Sequence, residues 1–187
     1  PDSVVDTSLG AQSKDPSYEA AKAGDMKAAL ELVSRVMSSD AEDKVRRMIG
    51  DSKPIVASVH AEEAAGRNKI PLATAIELGD RLGLEVDTKI VQATRAKRTG
   101  ADGMARIGVQ PEFTGDVVRG ADYLIVDDTL TQGGTIAQLK THIEEGGGRV
   151  VGVFALSGKQ YSAKISLDEQ TLSQLRERYG SIEPWWR

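Results

Sequence analysis

The sequence predicts an α/β fold with a mostly parallel central sheet flanked by helices, and three observations support this prediction. From residue 54 to 156, short apolar runs alternate with segments of helical periodicity, as in parallel strands joined by crossover helices. The apolar runs lack polar alternation, as expected of strands buried on both faces. The chain has 187 residues, 40% of them hydrophobic, which is enough to bury the core of one domain.

The first 50 residues divide into two parts. Residues 1–16 are rich in Ser, Asp, Gly and Gln, and this composition predicts a flexible arm or linker. Apolar residues from Tyr18 to Met37 then recur at helical spacing, which predicts a helical layer over residues 17–50 that packs on the core. The α/β domain itself is expected over residues 51–187, including a C-terminal helix and tail.

Residues 51–93 predict a strand, a helix and a second strand. The apolar run 55–59 is typical of a buried strand, and residues 88–93 form the second strand candidate. Pro71 lies where a helix between them would begin, because the first helical turn does not need the missing N–H. Gly83 is placed to end that helix.

The second half of the chain repeats the alternation. Residues 123–126 predict the central strand, the glycines at 146–148 end the helix that follows, and residues 150–156 predict another buried strand. Ser166 and Glu169 form a capping box that predicts a last helix, which would contribute a C-terminal hood.

Composition excludes several classes of protein. A net charge of −4 argues against broad coating of nucleic acid, which requires excess Lys and Arg. The absence of Cys excludes disulfides and thiolate chemistry. With no apolar run of about 18 residues and no signal segment, we expect no membrane partner and a cytoplasmic protein. His60 and His142 are expected to be structural or surface residues.

Residues 121–135 are the most informative stretch: an apolar strand runs into Asp127 and Asp128 and then into a turn rich in Thr and Gly. The two carboxylates offer acceptors to vicinal ribose hydroxyls, while the turn offers donors to a phosphate. A helix beginning near Gln132 would add its positive end. In open α/β sheets ligands bind at the carboxyl ends of strands. The alternative, that the acids merely cap a turn, explains fewer of these residues.

Two other kinds of site do not fit the pattern. An aspartyl-phosphate phosphatase requires a second Asp two residues after the first, and Thr129 occupies that position. No Gly-x-Gly-x-x-Gly turn and no Gly-Lys-Ser/Thr phosphate loop follows any predicted strand.

Residues 124–135 resemble the phosphoribosyl pyrophosphate signature of type I phosphoribosyltransferases: three apolar residues, two acids, two variable residues and Thr-x-Gly-Gly-Thr. The order of elements over 54–156 is also similar to that family. The resemblance implies Mg²⁺-dependent transfer of a 5-phosphoribosyl group to a nitrogen acceptor. It implies that Asp127 and Asp128 are catalytic and that the phosphate is bound by Thr129, Thr131, Gln132, Gly133, Gly134 and Thr135. It assigns no side chain as a direct metal ligand.

The family's two cationic loops have counterparts in this sequence. Arg67, Asn68 and Lys69 resemble the pyrophosphate loop, although the segment from residue 60 to 70 is longer than the usual tight turn. Residues 94–108 predict a flexible basic loop. This loop resembles the mobile loop that closes over the active site, and it adds Arg95 for pyrophosphate with Lys97 and Arg98 as catalytic residues. The alternative for both segments is a solvated charged surface.

The sequence does not identify the acceptor of the phosphoribosyl group. Thr131 argues against the family's 6-oxopurine enzymes, which usually carry an acid at this position. The resemblance implies only that the acceptor is a nucleobase or related nitrogen heterocycle. Tyr161, Trp185 and Trp186 are candidates for stacking on it, although a Trp pair packed on the helical layer explains the same residues. A homodimer is one option for assembly. The alternative function is a regulatory domain that binds phosphoribosyl pyrophosphate or a nucleotide without turnover, within a larger multidomain protein.

Overall fold

The computed structural model describes residues 2–60, 68–93 and 112–159, together with 173, 176–178 and 180. The strands are β1 (Asp2–Ser8), β2 (Ile55–Ser58), β3 (Val86–Asp87), β4 (Val91–Gln92), β5 (Phe113–Thr114), β6 (Asp122–Leu130) and β7 (Arg149–Gly158). The helices are α1 (Tyr18–Ala23), α2 (Met26–Val36), α3 (Ala41–Ile49), α4 (Ile70–Leu82) and α5 (Gly134–Glu145), with a 3-10 turn at Gln12–Lys14. No described helix has the length and apolarity needed to cross a bilayer.

Five strands form one sheet in the order β1-β7-β6-β2-β3, and each strand runs parallel to its neighbours. The predicted parallel sheet flanked by helices is therefore confirmed. Strand β6 lies at its centre, paired with β2 on one side and β7 on the other. Strands β4 and β5 form a separate antiparallel pair.

The predicted second strand at 88–93 is displaced. The main sheet ends with β3, which pairs with β2 at Val86 and Asp87, whereas β4 belongs to the small pair with β5. The reason is local, because the Asp87 carboxylate accepts hydrogen bonds from the backbone N–H groups of Lys89 (2.7 Å) and Ile90 (3.2 Å). Such a side-chain turn ends the strand and redirects the chain.

The prediction of a flexible arm over residues 1–16 is wrong for its described part. Strand β1 pairs with β7 along its length, and the 3-10 turn follows it. Val5 is buried in the hydrophobic core on the α5 face of the sheet, and Val4 packs against the core on the opposite face. The buried Asp6 carboxylate accepts from Ser38 and lies 3.2 Å from the Lys44 ammonium. Apolar packing and this ionic contact fix a segment whose composition suggests disorder.

The sheet separates two cores. The predicted helical layer is present as α1, α2 and α3, and it packs with α4 on one face. Helix α5 covers the other face. Because side chains alternate along a strand, Leu124 and Val126 of β6 face the helical layer while Tyr123 and Ile125 face α5. This alternation continues into the acid pair. Ser166 and Glu169, the predicted cap of the last helix, lie outside the described residues.

Candidate functional site

The acid pair lies where the central strand loses one of its neighbours. Strand β2 pairs with β6 as far as Ser58 opposite Val126, whereas β7 continues to pair with β6 beyond that point, at Asp127 and Thr129. Strand β6 extends to Leu130, four residues past the predicted end of the central strand. Asp127 and Asp128 therefore lie on a strand segment that has lost β2 as its partner, and this arrangement opens a pocket beside them.

Asp128 points toward the helical layer and is engaged by two donors. Its Oδ2 accepts a hydrogen bond from the Asn68 side-chain amide at 2.7 Å and lies 3.4 Å from the Lys22 ammonium. Asn68 precedes α4, and its own Oδ1 accepts from the Ile70 N–H at 3.2 Å. The same amide thus orients the carboxylate and satisfies a free N–H at the start of a helix.

Asp127 occupies the α5 side of the strand, and its Oδ1 accepts from the Asp128 N–H at 2.8 Å. Burial, followed by the negative charge of Asp128, raises the pKa of Asp127 well above its usual range. The Lys22 charge offsets only part of this effect. Asp127 is therefore a carboxyl group that can hold a proton or accept one at a pH where an ordinary Asp is ionised.

Both acids border one pocket of about 260 Å³. Although their side chains leave opposite faces of β6, the strand end lets both reach the same opening. The lining residues are Val59, His60, Asn68, Pro71, Gln92, Asp127, Asp128 and Thr135. The pocket therefore joins residues that follow β2, begin α4, belong to β4 and begin α5.

The turn after β6 presents backbone to solvent. Thr131, Gln132 and Gly134 are exposed. Gly133 has φ of 71°, in the left-handed region that favours glycine. Helix α5 begins at Gly134, two residues after the predicted start, and a Cβ built on Gly134 meets no described atom within 4 Å. A helix start without acidic residues and with open space around its first residue can take an anion on its amides.

The structure brings Asn68 of the predicted pyrophosphate loop to this pocket, while the backbone of Lys69 is bonded to α1. Asn68 lines it, and the Lys69 N–H donates to the Ala21 carbonyl of α1 at 3.1 Å. The other cationic and aromatic candidates lie outside the described residues; they are Arg67, Arg95, Lys97, Arg98, Tyr161, Trp185 and Trp186.

Gln12 and Ser157 hold the end of β6 against β7. The Gln12 side-chain amide donates to the Thr129 hydroxyl at 2.6 Å, the Ser157 hydroxyl at 3.1 Å and the Asp128 carbonyl at 3.3 Å. The Gln12 Oε1 is buried without a partner among the described residues. Thr129, predicted to bind phosphate, thus lies in a hydrogen-bonded seam of the sheet and does not line the pocket.

Sequence reasoning missed Lys22, Gln12 and His60. The first two carry no local signal, because their contacts join residues more than 100 positions apart. His60 follows the carboxyl end of β2, a position that could have identified it. Burial and, among smaller causes, the positive charge of Lys69 lower its pKa. His60 therefore offers the pocket a neutral imidazole near neutral pH.

The described residues contain no group of three or more His, Asp or Glu side chains that could hold a metal ion. A magnesium ion is often bound through one or two carboxylates together with the phosphates of a ligand. Asp127 and Asp128 fit this mode of binding, in which the ligand supplies most of the oxygen atoms.

Comparison with known proteins adds relatives by sequence. No protein-family model matches the chain. The chain is 42% identical over 188 residues to the protein TraN of Escherichia coli, covering 100% of this chain and 42% of TraN. It is 23% identical over 144 residues to an orotate phosphoribosyltransferase of Pyrococcus furiosus, covering 76% of this chain and 65% of that protein. The chain thus spans about two fifths of the length of TraN.

Among solved structures, the chain resembles the adenine phosphoribosyltransferase of Thermoanaerobacter pseudethanolicus. The TM-score is 0.45 and the identity is 20%, and the match covers 74% of this chain and 76% of that chain.

Proposed function

We propose that the pocket binds phosphoribosyl pyrophosphate and that the protein is a cytoplasmic, Mg²⁺-dependent phosphoribosyltransferase acting on a nucleobase or related nitrogen heterocycle. The observation that carries the proposal is the acid pair on a strand end that has lost its β2 partner, bordering the same pocket as Thr135, which follows the glycine turn in the first turn of α5. The sequence similarity to an orotate phosphoribosyltransferase agrees with it. A homodimer is part of the proposal.

The 5′-phosphate would lie on the turn before α5. Thr131 and Gln132 are exposed there, and Gly134 leaves its surroundings open. The amides of the first helical turn point outward, and the helix dipole favours negative charge at this end. The phosphate would therefore be bound largely by backbone donors.

The two acids would hold the ribose hydroxyls and favour the charge that develops during transfer. The bond from the anomeric carbon to pyrophosphate breaks, a bond to the acceptor nitrogen forms, and that nitrogen loses its proton. The ribose is positively charged in between, and carboxylates fixed in a partly buried site stabilise such charge better than water does. The raised pKa of Asp127 also makes its carboxylate, when ionised, a candidate for accepting the nitrogen proton.

The leaving pyrophosphate needs donors on the other side of the pocket. Asn68 lines the pocket, and Arg67, Lys69, Arg95, Lys97 and Arg98 are predicted to join it. A bound Mg²⁺ would neutralise part of the pyrophosphate charge. Among the described residues, only the acid pair offers anionic ligands in this pocket. The pyrophosphate would therefore supply most of the oxygen ligands of the ion.

The test is calorimetric titration with phosphoribosyl pyrophosphate, with and without Mg²⁺, on the wild type and on the double variant Asp127→Asn, Asp128→Asn. We expect binding to the wild type and loss of binding in the variant, whose circular dichroism spectrum should be unchanged. A panel of nucleobases would then be screened for pyrophosphate release. Equal binding by both proteins would contradict the site.

A regulatory domain that binds the same ligand without transfer is the second candidate. It is favoured by Asp128, whose Oδ2 is engaged by protein donors, Asn68 and Lys22. Saturable binding that persists without pyrophosphate release for every acceptor tested would favour it over the enzyme.

A further inference from the structure

Lys22 is a cation that the helical layer extends to the acid pair. Its Nζ lies 3.4 Å from the Asp128 Oδ2, which also accepts from Asn68. The Lys22 side chain is 39% exposed and that of Asp128 only 11%. The ammonium therefore lies on the partly exposed side of this ion pair, where a change of rotamer can move it without moving the helix.

The helix that carries Lys22 is fixed to the predicted pyrophosphate loop. The Ala21 carbonyl accepts from the Lys69 N–H at 3.1 Å, and Ala21 is fully buried. The Tyr18 ring lies 5.8 Å from the Lys22 Nζ, within the range of a cation–π interaction. Backbone and ring thus hold the lysine beside the loop where a diphosphate is expected.

A bound ribose would compete with Lys22 for Asp128. In the ligand-free protein the ammonium and the Asn68 amide share one carboxylate oxygen. A sugar hydroxyl that donates to this carboxylate would weaken the contact with Lys22, while a nearby diphosphate would offer the ammonium a stronger negative charge. The flexible four-carbon stem of lysine suits such an exchange.

We propose that Lys22 neutralises Asp128 in the ligand-free protein and turns to the diphosphate of a bound sugar diphosphate, so that the helical layer takes part in substrate selection. This inference rests on the proposed function. Lys22 would favour ligands with a diphosphate on the anomeric carbon over ribose 5-phosphate, which has the same sugar and 5′-phosphate but lacks that group.

The experiment compares two ligands on four proteins. Phosphoribosyl pyrophosphate and ribose 5-phosphate are titrated in the presence of Mg²⁺ into the wild type, Lys22→Met, Lys22→Arg and Lys27→Met. Lys27 is an exposed lysine on the adjacent helix α2, so its variant controls for the loss of one positive charge from the same layer.

We expect Lys22→Met to weaken phosphoribosyl pyrophosphate binding by about tenfold and ribose 5-phosphate binding by less than about threefold. Lys22→Arg should restore most of the affinity for the diphosphate, and Lys27→Met should behave as the wild type. Thermal unfolding of each variant would confirm that it is folded.

Three outcomes would overturn the inference in distinguishable ways. An equal loss for both ligands would show that Lys22 acts only by holding Asp128. An unchanged diphosphate affinity in Lys22→Met would remove Lys22 from the site and leave the proposed function standing. A wild type that binds neither ligand would overturn both proposals together.

Discussion

Asp127 and Asp128 are adjacent in the chain yet lie in two different electrostatic regions. Asp128 faces the helical layer, where an amide and an ammonium engage its carboxylate. Asp127 faces α5 and accepts a hydrogen bond from the Asp128 backbone, and burial beside the Asp128 charge raises its pKa. The pleat of a single strand is enough to create this difference.

The contrast indicates how the two acids would divide their work. A carboxylate that already has donors is held in a fixed position, which suits the binding of a hydroxyl. A buried carboxyl with a raised pKa can exchange a proton nearer neutral pH. Two carboxyl groups whose environments differ in this way are a common arrangement for separate catalytic roles. The predictions below test the contrast by making the two regions more alike or by probing one of them.

The largest effect is expected from Asn68→Asp. This change gives Asp128 a neighbouring negative charge, as Asp127 already has in Asp128. The change removes the side-chain amide that donates to the Asp128 Oδ2 at 2.7 Å, and it adds a like charge at nearly constant side-chain volume. Since a hydrogen bond to a charged group contributes roughly 1.5–3 kcal/mol, we expect phosphoribosyl pyrophosphate affinity to fall by on the order of 100-fold. Calorimetric titration measures the change.

Asn68→Ala is the matched control, because it removes the donor without adding charge. It should lose about tenfold in affinity. If both variants bound as tightly as the wild type, Asn68 would not orient a ligand-binding carboxylate.

A smaller effect is expected at the turn before α5, where Gly133 and Gly134 differ. Gly134→Ala adds a methyl group with no described atom within 4 Å, so we expect unchanged or slightly higher stability, since Ala favours helix by up to about 1 kcal/mol. The methyl group would nevertheless occupy the phosphate space and weaken phosphoribosyl pyrophosphate binding by about tenfold. Calorimetry and thermal unfolding together measure both effects.

Gly133→Ala is the control for the turn, because its φ of 71° is unfavourable for a residue with a Cβ. It should lower the free energy of unfolding by about 1–2 kcal/mol. Normal ligand binding by Gly134→Ala would show that the phosphate does not lie on this turn.

Local signals in the sequence predicted much of the fold. The apolar run before Asp127 identified the central strand, and Pro71 and Gly83 placed the ends of α4 to within one residue. Strand β1 was missed because it is stabilised by pairing with β7, about 150 residues away in the chain, and its own composition is polar. Sequence periodicity reports local burial and cannot report such pairings.

The site shows the same limit. The acid pair and the glycine turn could be proposed from the sequence because they are contiguous, and Asn68 and Lys69 because they precede a predicted helix. Lys22 lies 106 residues from Asp128, and nothing in its neighbourhood distinguishes it from other exposed lysines. The hydrogen bond from the Lys69 N–H, just before α4, to the Ala21 carbonyl of α1 ties the helix of Lys22 to the segment whose Asn68 also contacts Asp128. Contacts of this kind depend on tertiary structure.

The smallest effect is expected from Asp127→Asn, which removes the charge that burial disfavours. Because the folded-state pKa of Asp127 is raised above its ordinary value of 3.8, the folded protein binds a proton that the unfolded chain releases between these two pKa values. The free energy of unfolding therefore falls as pH rises through this window. The variant lacks this loss, and we expect it to have a higher Tm than the wild type above the window.

Thermal unfolding followed by circular dichroism from about pH 3 to pH 8 measures this difference. Below the unfolded-state pKa the two proteins should unfold at similar temperatures, and the advantage of the variant should grow with pH and then level off. Asp128→Asn is the comparison, because its wild-type carboxylate is engaged by Asn68 and Lys22, so its replacement should lower Tm at neutral pH. Opposite signs for the two variants would establish that neighbouring acids on one strand lie in different electrostatic environments, with Asp127 retained at a cost in stability. Equal signs would mean that the two faces of β6 do not divide the acids as the hydrogen bonds indicate.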